Sequence, residues 1–231
     1  MKASLNNPRE FHPYPSIPHL TVLPGNVVRS DKILSQEEQS KFLSDQILIE
    51  EKIDGANVGI SFDEDGAVRL QNRNTILIDQ SAWQWGPLFE WLIFKSPKLL
   101  NALADRYILF GEWCYAVHSI YYDSLPDWFL GFDIYDTDTA RFLDVDERNQ
   151  KFMHMDIHSV PRIAESHFTL DNLVKRLERS KFSNEEAEGI VLRRIPLGDG
   201  IFRAKLVRPN FIQNINEHWT KRPRRINKLR T

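Results

Sequence analysis

ILIEEKIDGANVGISF, residues 47–62, reads as a strand that ends near a lysine, turns at Asp54-Gly55 and resumes as a second strand. Ile47, Leu48 and Ile49 form a continuous apolar run. After the glycine, Val58, Ile60 and Phe62 alternate with smaller or polar residues, the period of a half-buried strand. Lys52 is out of place in this setting, because lysine is a poor strand former and its ammonium is costly to bury. A lysine that acts as a nucleophile needs such a setting, since it must be held rigidly and brought to its neutral form.

The pattern extends outward on both sides. Asp65-Gly66 predicts a hairpin turn, with Val68 and Leu70 on the return strand. Ser35-Gln-Glu-Glu38 predicts a capped helix following Leu34. Residues 83–103 have helical periodicity. Tyr107–Glu112, Trp128–Tyr135, Ile190–Arg194 and Ile201–Val207 read as further strands. Residues 169–179 suit an amphipathic helix with Leu170, Leu173, Val174 and Leu177 on one face. The stretch from Met155 to Pro161 reads as extended. The first 25 residues, with Pro8, Pro13, Pro15, Pro18 and Pro24, read as an extended arm. Interleaved helices and hairpins predict an α+β fold of mainly antiparallel sheets.

The chain has 231 residues, 42% of them hydrophobic and 27% charged, with a formal net charge of −2. Its length suits one large domain or two small ones, and a single domain over 1–231 is expected. The single cysteine, Cys114, excludes a disulfide framework and fits a reducing, cytoplasmic or nuclear compartment. The sequence has no signal-peptide pattern and no apolar run of membrane-spanning length. Residues 212–231 read as a basic tail. Within it Lys221, Arg222, Arg224, Arg225, Lys228 and Arg230 run without an acidic residue, the pattern of either a solvated tail or a local anion site. The histidines are scattered, without a helical zinc spacing.

Downstream of Lys52 come several chemically loaded strand ends, in order. They are Arg73 in Leu-Gln-Asn-Arg-Asn, Glu112 in Phe-Gly-Glu-Trp, Phe132-Asp133 in an apolar strand, Glu188-Gly-Ile-Val, and Lys205 in Arg-Ala-Lys-Leu-Val-Arg. Singly, each has an ordinary structural reading: a turn, a surface carboxylate, a core aromatic or an exposed strand lysine. As an ordered set they resemble the covalent nucleotidyltransferases, the ATP-dependent RNA and DNA ligases and the mRNA-capping enzymes. Glu-Lys-Ile-Asp-Gly-Ala-Asn and Lys-Leu-Val-Arg-Pro-Asn-Phe are most similar to the branch that includes RNA ligase 2-type enzymes.

The resemblance implies a nucleotidyltransferase fold with ATP held between its sheets. It also implies an ATP-dependent RNA ligase that joins 5′-phosphate and 3′-hydroxyl RNA ends through a lysyl–AMP enzyme and an AMP-capped RNA end. Lys52, Lys205, Glu188 and Arg73 become the expected catalytic residues. Glu51, Lys52, Asp54, Asn57, Arg73, Glu112, Phe132, Glu188, Arg203 and Lys205 become the expected ATP contacts. Phe132 would stack on adenine, with Phe129 the alternative if the register differs by one face. Glu188 and Glu112 would serve Mg²⁺ (or Mn²⁺), a hard cation that prefers oxygen ligands, with Glu112 also near the ribose. Asn57, Arg208, Arg222, Arg224 and Arg225 would contact RNA, since guanidinium pairs bidentately with phosphate.

The sequence departs from the family in two places. Arg203 and Val207 stand where relatives often carry a second lysine. Residues 206–231 are too few for the oligonucleotide-binding barrel found in many relatives, so a nearly bare core is expected, with the basic tail taking part of the grip on RNA. RNA repair, with an end-healing kinase or phosphatase as partner, is the implied setting. A DNA nick ligase of the same chemistry and a decayed nucleotide- or RNA-binding module are the alternatives.

Overall fold

The computed structural model describes residues 11–26, 32–77, 83–195, 202–209, 211 and 224–231. Among these, the chain forms two compact units, each with its own sheet. The first takes its residues from Met1–Pro15, Gly55–Ala116 and Pro126–Ser159, and the second from Ser16–Asp54, Val117–Leu125 and Val160–Thr231. The chain passes from the second unit to the first between Asp54 and Gly55, inside residues 47–62.

The first unit holds β2 (Ala56–Phe62), β3 (Val68–Gln71), α2 (Gly86–Leu103), β4 (Tyr107–Trp113), β5 (Phe129–Asp136), β6 (Arg141–Phe142), α3 (Val145–Met155) and β7 (His158–Ser159). Its sheet runs β3-β2-β4-β5-β6 with antiparallel neighbours, and β7 adds in parallel to β5. The β2–β3 hairpin turns as predicted, with Gly66 at φ 79° and the N–H groups of Asp65 and Ala67 donating to Asp63 Oδ1. Val58, Ile60 and Phe62 share one face and pack on Leu88, Leu92, Leu99 and Leu103 of α2.

The helix α3 was not expected. Its start is written as a capping box, with Asp144 accepting from Glu147 N–H and the Glu147 side chain accepting from Asp144 N–H. It overturns the extended reading at Met155, which closes the helix before Asp156 takes a left-handed conformation at φ 56°.

The second unit holds α1 (Gln36–Leu43), β1 (Gln46–Lys52), β8 (Arg162–Ser166), α4 (Leu170–Val174), β9 (Gly189–Ile195) and β10 (Arg203–Val207). The sheet order is β10-β9-β1-β8, antiparallel throughout. The capping box of Ser35 and Glu38 starts α1, as predicted. The helix expected over 169–179 is shorter, ending at Val174, and Leu177 packs against the core from beyond it. Of the strand expected over 201–207, the described part is β10, and Ile201 lies outside the described residues.

Residues 11–26 carry no helix, in line with an extended arm, but they are built into the units. Leu20 and Leu23 enter the second core with Phe42, Ile47, Ile49 and Leu192. His19 pairs in parallel with Lys205 along the outer edge of β10. Among the described residues no helix is long and apolar enough to cross a membrane.

Candidate active site

In β1, residues alternate between the two faces of the sheet. Ile47 and Ile49 point into the core, which sends Leu48, Glu50 and Lys52 to the other side. Register brings β9 and β10 alongside: Lys205 lies opposite Val191, and Val191 opposite Glu50. Lys52 and Lys205 therefore occupy one face of this sheet.

Lys52 Nζ donates to Glu188 Oε2 at 2.6 Å, with side-chain exposures of 25% and 12%. Burial pushes the Glu188 carboxyl above its ordinary range; the charge of Asp54 adds to this, while Lys52 and Lys205 oppose it. Asp54 follows in the loop, its Oδ2 accepting from the N–H groups of Ser119 at 2.7 Å and Ile120 at 3.0 Å.

His19 joins this face beside Lys205 and is 6% exposed. Burial, reinforced by the charges of Lys205, Lys52 and Lys32, lowers its pKa to about 4. It is therefore neutral at neutral pH and adds no positive charge beside the lysines. The sequence reading missed His19, because the parallel bridge to β10 that places it has no local signal.

Arg203 is buried, and its guanidinium sits 4.5 Å from the ring centroid of Phe202. Across the strand pair it faces Arg193, whose guanidinium is held at 2.6 Å by the buried Glu50 carboxylate.

Glu51 takes the opposite side of β1 from Lys52. Its carboxylate accepts from the Ser180 hydroxyl at 2.5 Å and from Lys181 N–H at 2.8 Å, and burial raises its pKa. It lines a cavity of about 250 Å³ together with Arg162, Arg176 and Arg179. The structure does not bring Glu51 to the face of Lys52. Arg208 is engaged locally, donating from Nε to the Ala187 carbonyl at 2.9 Å and from Nη1 to Glu186 at 3.0 Å. Arg222 lies outside the described residues. Arg224 and Arg225 are exposed, and Arg225 stacks on the Tyr121 ring at 3.6 Å.

The first unit carries the other expected residues. Asn57 and Glu112 are directly opposite each other across β2 and β4. Among the described residues, Asn57 Oδ1 is buried without a hydrogen-bond donor, so a ligand donor there would offset a desolvation cost. Phe132 falls where the β4–β5 register slips, since Phe110 pairs with Asp133 and Gly111 with Gly131. Such a bulge re-aims a side chain. The Phe132 ring is half-buried and meets Tyr14 edge-on at 4.9 Å, while the Tyr14 hydroxyl donates to Asp133. Phe129, the alternative, is fully buried in the core behind Gly111. Arg73 is exposed in a turn fixed by Asn72, whose side chain accepts from the N–H groups of Asn74 and Thr75.

No group of three or more metal-ligating side chains occurs among the described residues. Glu188 offers a carboxylate in direct contact with Lys52. That donor set fits a hard cation completing its shell with phosphate oxygens and water, as Mg²⁺ commonly does.

Residues 45–207 match the family model described as RNA ligase. The chain belongs to the RNA ligase family. Its fold is similar to that of an RNA ligase from Naegleria gruberi. The solved form of a point mutant with ATP and Mn has 18% identity over 76% of this chain and 53% of that one, with a TM-score of 0.59. The form with PPi has 21% identity over 74% and 51%, with a TM-score of 0.57. A mutant with AMP and Mn has 21% identity over 76% and 53%, with a TM-score of 0.54. The chain thus spans about half the length of the solved RNA ligases it matches. No curated protein matches it significantly. The α+β fold with antiparallel sheets agrees with the expectation from sequence.

Proposed function

We propose that this RNA ligase family member is an ATP-dependent RNA ligase that works through a lysyl–AMP intermediate, the whole chain acting as one adenylyltransferase domain. The observation that carries the reading is the Lys52–Glu188 ion pair with Lys205 on the same sheet face. Lys52 Nζ, in its neutral form, attacks the α-phosphorus of ATP. A nitrogen–phosphorus bond forms and the bond to pyrophosphate breaks. The AMP then passes to an RNA 5′-phosphate, giving a 5′–5′ anhydride and freeing Lys52. A 3′-hydroxyl attacks that RNA phosphate, forming the phosphodiester and expelling AMP.

Pyrophosphate and AMP are good leaving groups, so the protein's task is positioning and charge neutralisation. Lys205 and Arg203 neutralise the phosphates, and Arg73 grips them. Asp54 positions the loop. Glu188, with Glu112 near the ribose, would hold Mg²⁺ or Mn²⁺, which supplies charge neutralisation at the phosphates. Phe132 stacks on adenine, and Asn57 meets the nucleotide or the RNA. Arg208, Arg222, Arg224 and Arg225 serve RNA phosphates. The setting proposed is cytoplasmic RNA repair after a kinase or phosphatase has healed the ends.

The acceptor is tested with 5′-phosphorylated nicked duplexes, one all-RNA and one all-DNA, at equal concentration with ATP and Mg²⁺. The RNA nick is expected to be sealed faster by about tenfold or more, a modest discrimination for a site that recognises a 2′-hydroxyl. Equal or faster sealing of DNA would favour a DNA nick ligase. Nucleotide binding with no sealing of either would favour a binding module.

A further inference from the structure

Among the described residues, the strand ladder reaches Lys52 through its pairing with β9, while the pairing with β8 ends at Glu50. The last β1 pairing is Lys52 with Gly189, and beyond it the chain leaves the sheet. The N–H of Asp54 is then outside the ladder, and its acceptor is the hydroxyl oxygen of Tyr122, at 2.8 Å. Tyr122 is fully buried. Its own N–H donates to Asn227 Oδ1 at 2.8 Å, and Asn227 is 2% exposed.

The C-terminal segment secures this arrangement through backbone hydrogen bonds and an isolated parallel bridge between Leu125 and Leu229. Val117 N–H donates to Arg225 O, Lys228 N–H to Tyr122 O, Leu125 N–H to Lys228 O and Arg230 N–H to Leu125 O, at 2.8–3.0 Å. Residues 224–230 are thus no free tail. They fix the segment 117–125, which in turn pins Asp54 by its N–H and by its carboxylate.

We propose that Tyr122 and Asn227 are positioning residues for the nucleophile: they fix the loop immediately after Lys52 and so set its reach toward the α-phosphorus. This rests on the lysyl–AMP reading above. Packing alone would be served by phenylalanine at 122. The hydroxyl accepts from a backbone N–H that the strand ladder does not reach. A displacement of about 1 Å at a reacting group costs on the order of 100-fold in rate.

The test uses the full chain with Tyr122→Phe, Asn227→Ala and Asn227→Asp. It measures the rate of AMP transfer to Lys52 across a range of ATP concentrations, beside thermal melting. Tyr122→Phe and Asn227→Ala are expected to lower the maximal rate about 10- to 100-fold, with KM for ATP within about threefold of wild type. Asn227→Asp keeps the acceptor for Tyr122 N–H and is expected to recover most of the rate. If Tyr122→Phe folds poorly, the contrast between the two Asn227 variants carries the test. Wild-type maximal rates in Tyr122→Phe and Asn227→Ala would overturn the inference. So would a loss that appears only in KM, or one that Asn227→Asp does not recover. A wild-type chain that takes no label would bring down the lysyl–AMP reading itself, whereas a labelled wild type with unaffected variants would remove this inference alone.

Discussion

Glu188→Ala is expected to slow AMP transfer to Lys52 by about 100- to 1000-fold while leaving the protein folded. Charge stabilisation at a reacting phosphate is commonly of that size. Glu188 is the carboxylate that holds Lys52 at 2.6 Å, and it is the acidic side chain best placed to serve a cation there. Removing it takes away both the anchor and the negative charge. The stability cost is smaller. The Lys52 side chain keeps 25% exposure and so retains part of its hydration, and Glu188 gives up a carboxylate whose burial opposed ionisation. About 1 kcal/mol is expected, or 2–4 °C in Tm for a chain of this size. Glu188→Gln separates the two roles. It preserves shape and a hydrogen-bond acceptor but no charge, and it should melt close to wild type while remaining as slow as the alanine variant. Transfer within threefold of wild type in Glu188→Ala would contradict the role given to this residue.

The second large effect falls on the next residue. A Cβ at position 189 would lie 2.3 Å from Leu206 O and 2.9 Å from Val207 Cα. Both are backbone atoms of β10, so no side chain can swing aside. Gly189 also pairs with Lys52 on its other side. Gly189→Ala must therefore push β9 away from β10, and we expect a loss of about 3 kcal/mol, read as a fall of roughly 6–12 °C in Tm. The displacement passes to both Glu188 and Lys52, so AMP transfer should fall as well, even at temperatures where the variant is folded. Melting within 2 °C of wild type would show that the strands tolerate the methyl group.

These two residues also show why the sequence could be read as far as it was. Glu-Gly is a local signature whose glycine answers a packing demand: without a Cβ the strands approach closely, and the preceding glutamate is held beside the lysine. The Asp65-Gly66 turn and the Ser35–Glu38 capping box were legible for the same reason, since each is settled by residues a few positions apart. Alternation in Val58, Ile60 and Phe62 identified the core face of β2 without further help.

What was not legible depends on distant partners. The division of the chain at Asp54–Gly55 follows from which sheet each strand joins, and the alternation on either side is equally good for one sheet or two. Glu51 enters the expected ATP contacts through the family resemblance, next to Lys52 in sequence. In a strand, adjacency means opposite faces, and that inference was available. The histidine at 19 and the tyrosine at 14 sit in a proline-rich arm whose composition indicates only extended chain, while their pairing with Lys205 and Asp133 spans more than a hundred residues. The basic C-terminal run was ambiguous by charge alone. Asn227, in the middle of it, is the buried residue that anchors the described part to Tyr122. The α3 helix lies outside the segments read as helical, although Asp144 and Glu147 have the capping-box spacing that starts it.

Whether Lys52 takes AMP from ATP is read most simply by covalent labelling. The wild-type chain and Lys52→Ala are first treated with pyrophosphate to strip any AMP already attached. Both are then incubated with α-labelled ATP and Mg²⁺ and run on a denaturing gel. Label should be retained on the wild type and absent from Lys52→Ala. An unlabelled wild type, or label that survives the loss of Lys52, would contradict the lysyl–AMP reading.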